Sequence, residues 1–496
     1  MITFEQFQAA AQTYNVIPLT KTVLADLHTP VSLYLAYREG TKQSFLLESV
    51  EPNERVGRFS FIGSEPMMSI TARGDQLEIR NHNHVEHGTG NVIDGLKQYA
   101  SRYRQYPLPE LEGFSGGFLG FMGYDYVAQF ERISLPLKKI FDHPDTMFAL
   151  FESTIKFDHR NFVMTMIQNV FLDPSQSLQQ QYEEGKRKLD ALLQRLNVLT
   201  TPPQQFQCAL NRSDSNGADD YTAMVERAKQ YIHEGDIFQV VLSRRTSIPY
   251  SGDPFPVYRA LRTINPSPYL YYIDFDFIKL IGSSPEILVR VRNKQVELFP
   301  IAGTRKRGTT EEEDCKLEQE LLADEKELAE HHMLIDLGRN DVGRVSELGS
   351  VHVPVSKRID RYSHVMHIVS EVHGQLRSDR TSIDALQACF PAGTVSGAPK
   401  VRAMEIISEL ESSRRGIYAG AVGYIGLDGT LDMCIAIRTI VADGSKLHLQ
   451  AGAGIVADSV PETEYRETKS KAQALVDAIQ LAANNFEFVS DARGVQ

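Results

Sequence analysis

Paired carboxylates one helical turn apart, on two separate stretches, are the groups here best placed to handle an ionic ligand. Residues 450–471 read QAGAGIVADSVPETEYRETKSK. Glu464, Glu467 and Lys471 fall at i, i+3 and i+7, on one face of a helix expected from Pro461 to about Asn484 and capped by Ser459 or Asp458. Gly452, Ala453 and Gly454 precede it as an expected turn, free to take left-handed backbone angles and to approach a ligand closely. Two carboxylates side by side repel each other unless solvent, a base or a cation neutralises them. A glycine turn leading into them therefore points to a bound anion beside a hard metal ion. A solvated charged face accounts for the same residues.

Residues 324–344, DEKELAEHHMLIDLGRNDVGR, repeat the spacing with Glu327 and Glu330. They close a helix expected to begin near Cys315, with Leu328, Met333, Leu334 and Leu337 as its apolar stripe. Two such helices face to face offer oxygen ligands only, which suits Mg2+ far better than zinc. His331 and His332 have no matching Cys or His spacing and read as helix surface or packing.

The elements that must position these groups fall into two blocks. Residues 1–170 carry short apolar or alternating runs (31–37, 44–47, 59–62, 77–80, 146–158, 162–170), with a helix at 92–103, and read as β-rich. FLLESV at 45–50 is an expected strand ending on Glu48 and Ser49, and GGFLGFMGYDYV at 116–127 a glycine-rich segment packed tightly against a sheet. A polar helix runs from 174 to about 198, and a linker lies at 211–220. The second block, 220–485, is expected to hold strands at 237–248, 269–273, 279–282, 287–292, 295–299, 419–425, 433–441 and 446–451, with helices at 221–234 and 382–388. Strands interrupted by helices without βαβ alternation define an α+β protein with largely antiparallel sheets.

Composition narrows the functional classes. A net charge of −12 without a basic run argues against a nucleic-acid binder. No apolar run reaches the length of a membrane helix, and the opening MITFEQFQAAAQTYN lacks the blocks of a signal peptide. Four scattered cysteines form no framework, and a cytoplasmic setting is expected.

Further tracts of the second block set one polar group among small residues: SSPEILVR with Glu286, PIAGTRKRG with Thr304, SHVMH with His364 and His367, FPAGTVSGAPK with Thr394, RRGIYAG with Tyr418 and AIRT with Arg438. Each alone reads as a turn or a packed residue. In this order they resemble the chorismate-utilising enzymes. With FLLES and GRFSFIG (57–63), the resemblance to the family of anthranilate synthase large subunits covers nearly the whole chain.

The resemblance implies an α+β sandwich of largely antiparallel sheets with outer helices. The 1–205 region would hold an allosteric tryptophan site, and 220–485 the chorismate-binding catalytic domain. Chorismate would be aminated with ammonia and lose pyruvate to give anthranilate, the first step of tryptophan biosynthesis. Mg2+ would be held by Glu330 and Glu467, with Glu327 and Glu464 around it, assisted by Lys471 and the Gly452, Ala453 and Gly454 backbone. Arg438 would take the other carboxylate beside Tyr418, and Gly303, Thr304 and Thr394 would line the substrate. Glu286 would be the general acid and His367 the group at the elimination step, with His364 as the neighbour to test against it. An alternative within the family is an aminodeoxychorismate synthase or another chorismate aminase. Ala302 stands where those enzymes usually carry a nucleophilic lysine, and Gln239 where isochorismate and salicylate synthases carry a lysine base. Both residues favour the anthranilate reading. No G-x-C-x-G elbow occurs, so a separate glutamine amidotransferase subunit (component II) would supply ammonia, in a heterotetramer. The effector site would comprise Leu47, Glu48, Ser49, Asn265, Pro268, Tyr269, Leu270, Val422 and Tyr424, with Arg58 as the basic residue completing it.

Overall fold

Side chains that alternate across two large sheets build this molecule. A computed structural model describes residues 1–49, 57–81, 84–108, 111–196, 206–209, 213–215, 217–361 and 365–487. Among these, one sheet has thirteen strands and the other twelve, and every strand ladder is antiparallel. In strand Tyr269–Asp274, Tyr271 and Ile273 point into the apolar layer between the sheets, where Phe45, Phe121, Val422 and Cys434 also lie. Leu270 and Tyr272 point the other way, into a second core covered by helices Phe255–Ile264 and Pro461–Ala483. The result is an α+β sandwich with helices outside.

Both blocks of the chain contribute to each sheet. Strand Ser44–Glu48 pairs with Tyr269–Asp274, placing Glu48 opposite Leu270 and Leu47 opposite Tyr271. Strand Gly117–Met122 pairs with Ala421–Gly426. The glycines of Gly117–Met122 are there for space: a Cβ on Gly120 would lie 1.9 Å from the Met147 carbonyl of the neighbouring strand.

Several elements differ from the sequence expectation, each for a physical reason. The apolar run 31–37 is helix Pro30–Arg38, started by a Thr29–Ser32 capping box. The acidic segment is two helices, Glu311–Ala323 and Glu325–Gly343, because Asp324 leaves the helical region and caps the second through the N–H groups of Lys326 and Glu327. The expected strand 433–441 is two strands, Leu431–Ile435 in the twelve-stranded sheet and Thr439–Ala442 in the other. Both ends are buried, so the crossover between them leaves no polar gap in the sequence. Gly452 and Gly454 form no turn; they lie in strand Lys446–Ile455, opposite Ser243 and Val241. Helix Pro461–Ala483 starts without a side-chain cap, since the Ser459 hydroxyl accepts from Val456 N–H instead. Strands Ile301–Lys306 and His352–Arg361 and helix Phe255–Ile264 go beyond the expected set.

Candidate active site

Two crossovers between the sheets run side by side and present the first pair of functional groups. Pro285 and Glu286 join strand Lys279–Ser284 to strand Ile287–Arg292 in the opposite sheet, and residues 436–438 return the chain. The two are stapled together. Ile435 N–H donates to the Glu286 carbonyl at 3.0 Å, Ser283 N–H to the Arg438 carbonyl at 3.0 Å, and the Ser284 hydroxyl to the Ile435 carbonyl at 2.7 Å. Arg438 sits at φ +49°, a left-handed conformation uncommon for a non-glycine residue, of the kind that clusters at functional sites.

The Glu286 carboxyl is half-buried and pairs with no cation among the described residues. Burial raises its pKa from 4.5 to about 7, opposed by a 2.7 Å hydrogen bond from the Thr394 hydroxyl and by the more distant Lys471 ammonium. It can therefore hold a proton near neutrality. Thr394 stands on the short turn Gly393–Val395, pressed against helix Glu325–Gly343 so closely that a Cβ on Gly393 would lie 2.0 Å from Leu337.

His367 faces this region from strand Val365–Gln375, directly opposite Thr304. Its Nδ1 lies 2.9 Å from the Gly303 carbonyl and 3.1 Å from the Thr304 hydroxyl. A carbonyl only accepts, so Nδ1 carries the proton and Nε2 is the basic nitrogen. Burial lowers the imidazole pKa below its ordinary value, the Gly303 carbonyl opposes this, and Arg438 adds to it. A neutral imidazole with Nε2 as acceptor is a base. Gly303 forms a bulge at φ +67°, and a Cβ there would come within 3.2 Å of the Glu327 carboxylate.

Arg438 has no ion-pair partner among the described residues, and burial holds its pKa below the ordinary arginine value. Tyr418 lies beside it, its phenol pushed up to about 12 by burial. Gly452 is glycine for room: a Cβ would stand 2.9 Å from the Tyr418 hydroxyl and 2.8 Å from the Leu242 carbonyl. A Cβ on Gly454 would stand 2.7 Å from Gln239 Nε2, while Ala453 is fully buried between them. The Lys471 ammonium donates to the Gly452 carbonyl at 3.1 Å and pairs with Glu467 at 2.6 Å.

The four glutamates lie around the same space but stand apart. Gln239 Nε2 donates to Glu330 at 3.2 Å, and Arg305 pairs with Glu327 at 3.2 Å. The Glu464 carboxyl is raised above its ordinary pKa by burial and by the charge of Glu467, with Ser459, Lys471 and Lys326 acting against this. Lys326 belongs to the helix that carries Glu327 and Glu330, so the two carboxylate helices approach each other. Among the described residues no three His, Cys, Asp or Glu side chains are gathered closely enough to hold a metal ion. The oxygen-only donors and the raised Glu464 fit a hard divalent cation drawn between the helices. His331 is packed, with Nε2 2.7 Å from the Ser370 hydroxyl. His364 lies outside the described residues.

The second group of residues meets at the edge where strand Ser44–Glu48 joins Tyr269–Asp274. Leu47, Tyr269, Val422 and Tyr424 share the apolar layer between the sheets. Glu48, its side chain wholly buried, accepts from the Tyr258 hydroxyl and pairs with Arg262 at 2.9 Å. Its other oxygen and the Ser49 hydroxyl are buried and find no hydrogen-bond partner among the described residues. Asn265 donates to Ser283 at 3.0 Å, Tyr269 donates to Asp432 at 2.7 Å, and Pro268 and Leu270 flank Tyr269. Arg58 pairs with Asp158 at 2.9 Å; the cation on Glu48 is Arg262, which sequence reasoning missed. The signal for it was there: Arg262 lies on the amphipathic helix that ends just before Asn265.

Comparison with known proteins places this geometry. Residues 42–477 match the family described as chorismate binding enzyme. The chain is 44% identical over 491 residues to the anthranilate synthase component 1 of Acetivibrio thermocellus, covering 97% of this chain and 98% of that one. It is 46% identical over 491 residues to that of Pseudomonas putida, covering 96% and 98%. Among solved structures, anthranilate synthase component I of Streptococcus pneumoniae superposes with a TM-score of 0.73 at 37% identity, over 91% of this chain and 98% of that one. The menaquinone-specific isochorismate synthase of Escherichia coli shares the fold, with a TM-score of 0.70 at 21% identity over 96% and 98%. With the family matched over most of its length and these relatives over nearly all of it, the chain belongs to the chorismate-binding enzymes, in the anthranilate synthase component 1 family.

Proposed function

We propose that this chain aminates chorismate with ammonia and eliminates pyruvate to yield anthranilate. The observation that carries the reading is the Glu286 carboxyl, held near neutral pKa by burial and steadied by a threonine hydroxyl rather than a cation. Hydroxide leaves a ring carbon poorly, and Glu286 protonates it as ammonia adds. Arg438, without an ion-pair partner among the described residues and flanked by Tyr418, binds one substrate carboxylate through its planar fork. In the second step His367 Nε2 removes the ring proton, its Nδ1–H held by the Gly303 carbonyl, and the enolpyruvyl ether leaves as pyruvate. Thr304 steadies the same imidazole. Ala302 brings no amine to the ring, and the Gln239 amide, bonded to Glu330, is no base; these residues favour ammonia as the nucleophile over a covalent lysine or activated water.

Glu330 and Glu467, with Glu327 and Glu464 around them, would hold Mg2+, which would offset the charge of the second carboxylate. Lys471 and the Gly452–Gly454 backbone complete that end of the cleft. Ammonia comes from a glutamine amidotransferase partner in a heterotetramer. Among the described residues no helix is long and apolar enough to cross a membrane, in keeping with a cytoplasmic biosynthetic enzyme. The buried edge around Glu48, Ser49 and Asn265 takes tryptophan as a feedback inhibitor.

The test is one incubation of the purified chain with chorismate, ammonium at mildly alkaline pH, and Mg2+ or EDTA. Equimolar pyruvate and anthranilate that vanish with EDTA are expected. Amination without pyruvate would overturn the lyase reading.

A further inference from the structure

The RRGIYAG tract holds a charged side chain that the chemistry above leaves unused. Arg415 is 2% exposed and is the largest fully buried side chain among the described residues. It forms a two-pronged pair with Glu411 one turn earlier: Nε donates to Oε2 at 2.9 Å and Nη2 to Oε1 at 2.7 Å. A buried ion pair is often no more stabilising than apolar residues of similar volume, so its retention calls for a reason beyond stability.

The remaining bonds of the pair supply one. Arg415 Nη1 donates to the Val395 carbonyl at 2.8 Å, and Nη2 also donates to the Val241 carbonyl at 2.6 Å. Glu411 accepts from both the N–H and the hydroxyl of Ser243, each at 2.8 Å. Val395 follows Thr394, the donor to Glu286. Val241 and Ser243 lie opposite Gly454 and Gly452 on the strand that begins with Gln239. Tyr418 comes three residues after Arg415, whose guanidinium lies 5.7 Å from its ring. At the other end Asp125 receives Gly416 N–H at 2.7 Å, and Tyr124 stacks 4.6 Å from the guanidinium. Strand Gln239–Ser251 loses its neighbour Gly397–Ala398 just before Val241 and meets Ser213–Asp214 only from Thr246, so among the described residues the ion pair bonds the stretch of edge between those two strands.

We propose that the Arg415–Glu411 pair is a positioning clamp that fixes Thr394, Tyr418 and the Gln239 strand relative to one another for catalysis. The inference rests on the reading of Glu286 as the acid in chorismate amination. The pair touches no substrate; it acts through the Val395 and Val241 carbonyls. A displacement of the Thr394 turn by a fraction of an ångström would loosen the bond that orients Glu286.

The experiment measures kcat, KM and thermal midpoint for wild type, Thr394→Val, Arg415→Lys, Glu411→Asp and the double variant Arg415→Lys/Thr394→Val. Both clamp variants keep the charge and change its reach. A kcat loss of about 10- to 100-fold is expected for each, at nearly unchanged KM, as for a reacting group displaced by up to about 1 Å. The double variant should lose no more than the worse single one, because both act on one bond; independent losses multiply. Ser243→Ala, which spares the ion pair, should lower kcat by a smaller factor and serves if the charge-preserving variants do not accumulate folded. Unchanged kcat in the folded variants, or multiplying losses, overturns the clamp. Absence of chorismate turnover in wild type overturns the reading beneath it, and the two failures are told apart by that first measurement.

Discussion

Glu286→Gln should abolish turnover and at the same time stabilise the protein, by an amount that grows with pH. Burial moves the Glu286 pKa from 4.5 to about 7, so folding at alkaline pH forces a charge into a site that favours the neutral acid. The sign follows directly. A carboxyl whose folded pKa is raised costs nothing below its unfolded value, and stability falls as pH rises from about 4.5 to about 7. At about 1.4 kcal/mol per pH unit, the full effect is about 3 kcal/mol, trimmed to about 2 kcal/mol by solvent reaching the half-buried group. Glutamine keeps the volume and still accepts from Thr394, but carries no charge at any pH. Urea unfolding of both proteins, reported as the difference between them, should give about 1 kcal/mol or less at pH 5 and about 2 kcal/mol at pH 8. A pH-independent difference, or a destabilised variant at pH 8, would refute the argument that desolvation sets this acid. Normal anthranilate formation would remove Glu286 from its role.

Thr394→Val removes the bond that favours the ionised form, so the alkaline limb of kcat should move to higher pH by about one unit; an unmoved limb would break the link between Thr394 and the acid. His367→Ala should let the aminated intermediate build up with pyruvate release suppressed, read by chromatography of quenched reactions; undiminished anthranilate would count against the base. Glu330→Gln should raise the Mg2+ concentration for half-maximal turnover by about 10-fold or more, and an unchanged titration would place the ion elsewhere. Ser49→Ala deletes a buried hydroxyl that has no partner among the described residues, so stability should hold or rise while tryptophan inhibition weakens; retained inhibition would put the effector at another site.

The fold class was legible because strands and helices follow one another without βαβ alternation, and the shared face of Glu464 and Glu467 was legible from their spacing on one helix. The crossovers were not. Residues 433–441 read as one apolar strand because Ile435 and Ile440 are equally buried on either side of Arg438, and burial does not record which sheet a residue has joined. The Gly452–Gly454 segment read as a turn because glycine signals both positive φ and lack of room. Only the position of Tyr418 and Gln239, distant in sequence, shows that room was the reason. Arg262 was missed for the same cause: its partner Glu48 is far away along the chain, in the other block, and only strand pairing brings the two together.

The placement of Lys471 shows why these long-range contacts matter to the chemistry. An ammonium within direct reach of Glu286 would hold it ionised and remove its proton from use at neutral pH. Lys471 instead points at the Gly452 carbonyl and pairs with Glu467, one turn back on its own helix, so it lowers the Glu286 pKa without reversing the effect of burial. Glu467 has itself a second effect, raising Glu464. One helix face thus keeps a cation away from the acid and keeps two carboxylates close enough to want a cation. That division cannot be made by residue types alone; it depends on strand Lys446–Ile455 lying where its carbonyls can anchor the lysine, which in turn depends on glycine at 452 and 454 letting Tyr418 and Gln239 close over it.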